Sequence, residues 1–169
     1  MQFELKLRQT ARALCALLAM IFSAAAAAAD EFPEPVVRAV MSQAETLLGD
    51  SGVSVSGYAA TRPPRVAVVS SNHFLLLGND GAFIPGYIYL NGNTIDDCRG
   101  LSLLHEIVHD ATMKYRLFRT VSNGDVRAMM EALADHITEM AAEAPYRPAC
   151  VTQRHFDISG ADLVSLATR

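Results

Sequence analysis

The stretch LSLLHEIVHDAT, residues 101 to 112, constrains the fold of this chain more than any other. Leu101, Leu104 and Val108 recur at the spacing of a helix with one buried face. His105 and His109 stand four residues apart in the same run, so a helix sets their imidazoles one turn apart on one side. The fold must therefore contain a helix that is packed along one stripe and offers two ring nitrogens along another. Such a pair can bind one zinc ion. Glu106 lies about 100° round the helix from His105, where its carboxylate faces the site without being a ligand. A packed core helix with two hydrogen-bonded histidines and no metal is the other reading of these letters.

A catalytic zinc requires a third protein ligand and an open coordination position. The next helical run, MMEALADHITEM, offers one. Two helices joined by a turn around Phe118 to Gly124 would bring Glu131 back level with the histidines. Asp135 stands four residues on, on the same face as Glu131. There it can accept a hydrogen bond from a ligand histidine and fix its tautomer. His136 is a rival third ligand from a different face of that helix. Asp110 either lines the cleft or is an exposed helix aspartate, and His73 reads as a loop residue.

HEIVH followed by E-x-x-x-D resembles the gluzincins, the thermolysin-like branch of the zincin metallopeptidases. The resemblance covers about a third of residues 30–169, from Tyr87 to Asp135. It implies a zinc cofactor held by His105, His109 and Glu131, with Glu106 as general base and Asp135 supporting His105. It also implies hydrolysis of a peptide or protein substrate lying extended against an edge strand, for which GYIYL (86–90) is the candidate. Departures from the family pattern are Met130, where an asparagine often precedes the ligand glutamate, and the lack of a helical second subdomain. The metzincin extension is missing too, because Thr112 and Tyr115 stand where it needs glycine and histidine. The transition-state partner is thus open among His155, Tyr87, Tyr89 and Tyr115. An alternative keeps the metal and drops the chemistry: an exported metal-binding or interaction domain on a zincin scaffold.

The start of the chain reads as an export signal. Lys6, Arg8 and Arg12 precede the apolar run Ala13 to Phe22, and Ser23 and six alanines follow. This is the pattern of a secretory signal peptide over residues 1–29, with an uncleaved membrane anchor as the alternative. Residues 30–169 then form a single domain, placed in the periplasm or secreted from a bacterial cell. Removing the leader leaves 11 basic against 17 acidic residues. That balance argues against a nucleic-acid partner. Cys15 leaves with the leader. In an oxidising compartment the two remaining cysteines, Cys98 and Cys150, are expected to pair, two buried free thiols being the alternative. The pair would bring the tail, with His155, towards the start of the active-site helix.

The remaining pattern predicts an α+β, zincin-like fold. A helix is expected over Pro35 to Leu48, with Val36, Val37, Val40, Met41, Ala44, Leu47 and Leu48 on its inner face and Gly49 just past its end. Short strands are expected at Val53 to Val55, Arg65 to Ser70, Phe74 to Leu77 and Ala82 to Leu90. Asn79-Asp80-Gly81 is the expected hairpin turn. This small mixed or antiparallel sheet should pack on helices from about Asp97 to Leu117 and Asn123 to Glu143, with a short helix over 160–168.

Overall fold

A computed structural model describes residues 30–94, 96–121 and 123–142, together with Ser165 and Ala167. The expected leader, Cys150 and His155 lie outside the described residues, as does most of the tail helix expected over 160–168. The fold is mixed α+β. Its elements run β1 (Asp30–Glu31), α1 (Glu34–Asp50), a 3-10 turn (Tyr58–Ala60), β2 (Arg65–Val69), β3 (Gly81–Ile84), β4 (Tyr87–Asn91), α2 (Asp96–Lys114) and α3 (Asn123–Ala141). Every element from α1 to α3 belongs to one compact unit, Glu31–Arg169.

Helix α1 opens with Pro35 in its first turn, where a missing N–H costs nothing. Val37, Met41, Ala44 and Leu48 form its buried stripe, while Val36 is exposed, contrary to expectation. The helix also runs past Gly49 to Asp50. It stops because Ser51 turns its hydroxyl back on Leu48 O at 2.7 Å and Gly52 adopts φ +94°. Val53 N–H then bonds Leu48 O at 2.8 Å. Val53 and Val55 are fully buried but form no strand, since their alternation serves burial along a turn-rich connection.

The sheet is small and mixed. Strand β4 is central: it pairs in parallel with β2 (Val66↔Ile88) and antiparallel with β3 (Phe83↔Ile88). The hairpin turn is Pro85-Gly86, where Ile84 faces Tyr87 and Gly86 takes φ +84°. Proline sets the first turn position and glycine supplies the positive φ of the second. Asn79 and Asp80 lead into β3 instead of turning a hairpin, because the expected strand at Phe74 to Leu77 does not exist. That segment is a chain of turns, His73 N to Ser70 O, Leu76 N to His73 O and Asn79 N to Leu76 O. Only Leu76 in it is fully buried; Phe74 and Leu77 stay exposed, so no period-2 face is formed.

The pairing order β1-β2-β4-β3 corrects a further expectation. GYIYL supplies β4, which is flanked on both sides and offers no free edge. The edge strands are β1 and β3, and β3 is the one that lines the cleft described below.

Helices α2 and α3 pack against one another and against this sheet. Leu103, Leu104, Ile107, Val108 and Ala111 of α2 meet Met129, Leu133, Ala134 and Ile137 of α3, with Val66, Ile88 and Leu90 from the sheet, in one core. Leu101 is only half-buried and lines a cleft instead. The link between the helices turns through Arg116 and Phe118, both at positive φ, and Phe118 is buried beneath it.

Candidate metal centre

The cleft, about 610 Å³, has α2 and α3 as its floor and β3 with the preceding turns as its rim. His105, Glu106 and His109 come to it from α2, and Glu131 and Asp135 from α3. One ligand atom each from His105, His109 and Glu131 can be enclosed within 4.8 Å, so this group can hold a metal ion. His136 is not in that group and does not line the cleft.

The ligand atoms form a tight triangle. His105 Nε2 lies 3.1 Å from His109 Nε2 and 3.4 Å from Glu131 Oε2, and His109 Nε2 lies 3.7 Å from that oxygen. A tetrahedral ion bonded at 2.0–2.1 Å separates its ligands by about 3.3 Å. The three sides bracket that value. The donors also suit the ion: two imidazoles and a carboxylate favour zinc and its transition-metal neighbours over magnesium or calcium.

The two histidines are held differently. His105 Nδ1 lies 3.2 Å from Asp135 Oδ1. A proton there is directed at the carboxylate, which leaves Nε2 to face the triangle. His109 has no such partner among the described residues: its Nδ1 is buried without a hydrogen bond. Its ring is held by burial and by Phe83 of β3, whose ring stacks at 6.3 Å between centroids.

Electrostatics follow from this crowding. Burial works to lower the pKa of His105, but hydrogen bonds to Asp135 and Glu131 and the charges of Glu106 and Asp135 outweigh it and hold the ring at about 9. Glu131 is pulled well below the usual carboxylate range by hydrogen bonds from His105 and His109, against the opposing effect of burial. These carboxylates favour a positive charge at the centre of the group.

Glu106 is buried at 7 % exposure and lines the cleft beside the triangle. Its position depends on Gly81 in β3. A Cβ on Gly81 would stand 2.6 Å from Glu106 Oε1 and 2.9 Å from its Cγ. Backbone and carboxylate therefore occupy space that any larger residue would need.

Asp110 fits neither expectation for it. It is 3 % exposed and does not line the cleft. Tyr58 Oη donates to its Oδ2 at 2.8 Å, and Lys114 Nζ approaches the same oxygen at 2.7 Å. Burial first, and the Asp110 charge second, push the Tyr58 hydroxyl far above its ordinary pKa, so it stays protonated as a donor. This network ties the back of α2 to the 3-10 turn. Tyr87, Tyr89 and Tyr115 do not line the cleft either. Tyr115 donates to Ser56 O at 2.8 Å, and Tyr89 stacks on His73, which sits in a loop as expected. Cys98 is buried near the start of α2.

Neither Gly81 nor Arg127, both lining the cleft, had a functional reading in the sequence. Arg127 is visible in retrospect as the first member of an i, i+4, i+8 stripe with Glu131 and Asp135. Gly81 gave no signal beyond its place in a turn-like tripeptide. Among the described residues no helix is long and apolar enough to cross a membrane. No family model matches the chain, and no curated protein or solved structure shows a similarity to it that would carry an assignment.

Proposed function

We propose that this protein is an exported, zinc-dependent peptidase of zincin-like architecture, close in site design to the gluzincins. The observation that supports it best is the His105–His109–Glu131 triangle of tetrahedral dimensions with the Glu106 carboxylate beside it in an open cleft. His105, His109 and Glu131 would hold the ion, and Asp135 would orient His105. Once bound, the ion supplies Lewis-acid polarisation of a carbonyl and of a water. Glu106 takes a proton from the attacking water and passes it to the leaving amine as the C–N bond breaks. An extended substrate lies along β3, whose outer edge pairs with no other strand among the described residues and whose four residues line the cleft.

The test combines metal analysis with cleavage of a mixed peptide library. Zinc at one per chain, with cleavage lost in Glu106→Gln and zinc retained, is the expected result. Protein purified with metal present that holds no ion would refute the reading. A second reading, a metal-binding domain without catalysis, draws on the absence of Tyr87, Tyr89 and Tyr115 from the cleft lining. Tight zinc binding without cleavage of any peptide would select it.

A further inference from the structure

Arg127 is the one lysine or arginine among the described residues that line the cleft. It shares that lining with four carboxylates, Asp80, Glu106, Glu131 and Asp135. Each of these is engaged elsewhere. Glu131 and Asp135 are tied to His105, and Asp80 accepts from Thr94 Oγ1 at 2.9 Å. Glu106 is buried against the position of Gly81. Arg127 is exposed and makes no ion pair or hydrogen bond with any described residue. A guanidinium keeps its charge at every working pH and matches a carboxylate with two parallel N–H donors.

Its place on α3 gives this charge a function. Arg127 precedes Glu131 by four residues, so it sits about 6 Å along the helix axis from the ligand group on the same face. An extended peptide covers that distance in about two residues. We propose that Arg127 forms a carboxylate-binding subsite, which selects peptides bearing a carboxylate within about two residues of the bond at the metal. The carboxylate is either an acidic side chain or the peptide's own C-terminus. This inference rests on the reading of the cleft as a peptide site.

The experiment measures binding, so that it stands apart from catalysis. Zinc-loaded Glu106→Gln protein is titrated with fluorescent peptides in matched pairs, Asp or Glu against Asn or Gln at each position, and free acid against amide at the C-terminus. The same series is run with Arg127→Gln and Arg127→Glu added. The expected result is a ten- to hundredfold preference for the carboxylate member of one pair, in keeping with a charge-assisted hydrogen bond. Arg127→Gln abolishes the preference and Arg127→Glu reverses it, with zinc content unchanged. Which pair discriminates distinguishes side chain from C-terminus. No preference, a preference that survives Arg127→Gln, or no peptide binding at all overturns the subsite. A preference that depends on Arg127, in a protein whose unmutated form cleaves nothing, keeps the subsite and removes the hydrolase reading.

Discussion

Replacing Gly81 with alanine tests the geometry of the cleft at one atom. The new Cβ would lie 2.6 Å from Glu106 Oε1, 2.9 Å from Cγ and 3.1 Å from Cδ, whereas ordinary contact begins at 3.4 Å. The carboxylate must therefore withdraw by about 0.8 Å or rotate away. The backbone at Gly81 does not require glycine, since its φ is not positive. Without the clash, alanine in a strand is favoured by about 0.5–1 kcal/mol. Overpacking works the other way, at about 1–3 kcal/mol. The balance centres on a loss of about 1 kcal/mol in urea unfolding. Misplacing a reacting group by about 1 Å costs on the order of a hundredfold in rate. Gly81→Ala should then lower kcat/KM for a cleaved peptide by about that factor while zinc stays at one per chain. A variant as stable as the parent, or more so, would refute the clash. One that retains activity within about threefold would refute the role assigned to Glu106.

Other predictions rest on the same geometry. Asp135→Ala should weaken zinc binding by about 10- to 100-fold in a chelator competition, with Asp135→Asn in between, whereas His136→Ala should leave it unchanged. In the metal-free protein His105 is protonated below about pH 9, and it must lose that proton to bind an ion. Zinc affinity should therefore fall by about tenfold for each unit of pH below that value, and calorimetry in buffers of different ionisation enthalpy should register the released proton. Asp110→Ala strips the buried acceptor from Tyr58 and Lys114 and should cost about 1–3 kcal/mol of stability, read by denaturant unfolding, without changing zinc content. Glu45 accepts from the backbone N–H of Ala59 and Gly57, both at 2.7 Å, and these bonds lower its pKa. Its contribution is present above the unfolded-state pKa and lost as pH falls through the folded value. Glu45→Gln should therefore flatten the acid limb of the stability curve.

The helical half of this molecule was legible in the sequence because its signals are local and redundant. The stripes of α1, α2 and α3 repeat over several turns. Glu131 and Asp135 could be placed opposite the histidines from helix length and one short link. The sheet was less legible because its signals are short. FLLL in 74–77 has the composition of a strand, yet no neighbour completes a ladder for it, and composition does not encode neighbours. AFIPGYIYL reads as one run unless Pro85-Gly86 is given the weight of a turn. That weight decides the edge, since folding the run in two puts Gly81–Ile84 outside and Tyr87–Asn91 inside. Asp110 was misread for a related reason. Its neighbours in sequence are site residues, but helix geometry turns it to the opposite side, towards Tyr58, which is fifty-two positions away. The close approach of Gly81 to Glu106 leaves no trace in a single sequence, because it consists of space that a side chain does not fill.

Helix α2 presents different faces to the core and to the cleft, and this bears on what a bound ion would do for the chain. Leu103, Leu104, Ile107 and Val108 meet the sheet and α3 without any help from the ligand nitrogens. An ion shared by His109 and Glu131 acts as a non-covalent crosslink. It closes a short loop between two helices that the core already clamps together, so it removes little freedom that folding has not removed. Small metallo-domains that lack a core collapse when stripped. This one should release its ion and take it back as a folded body. Loading and unloading of an ion would then be reversible events on a standing scaffold.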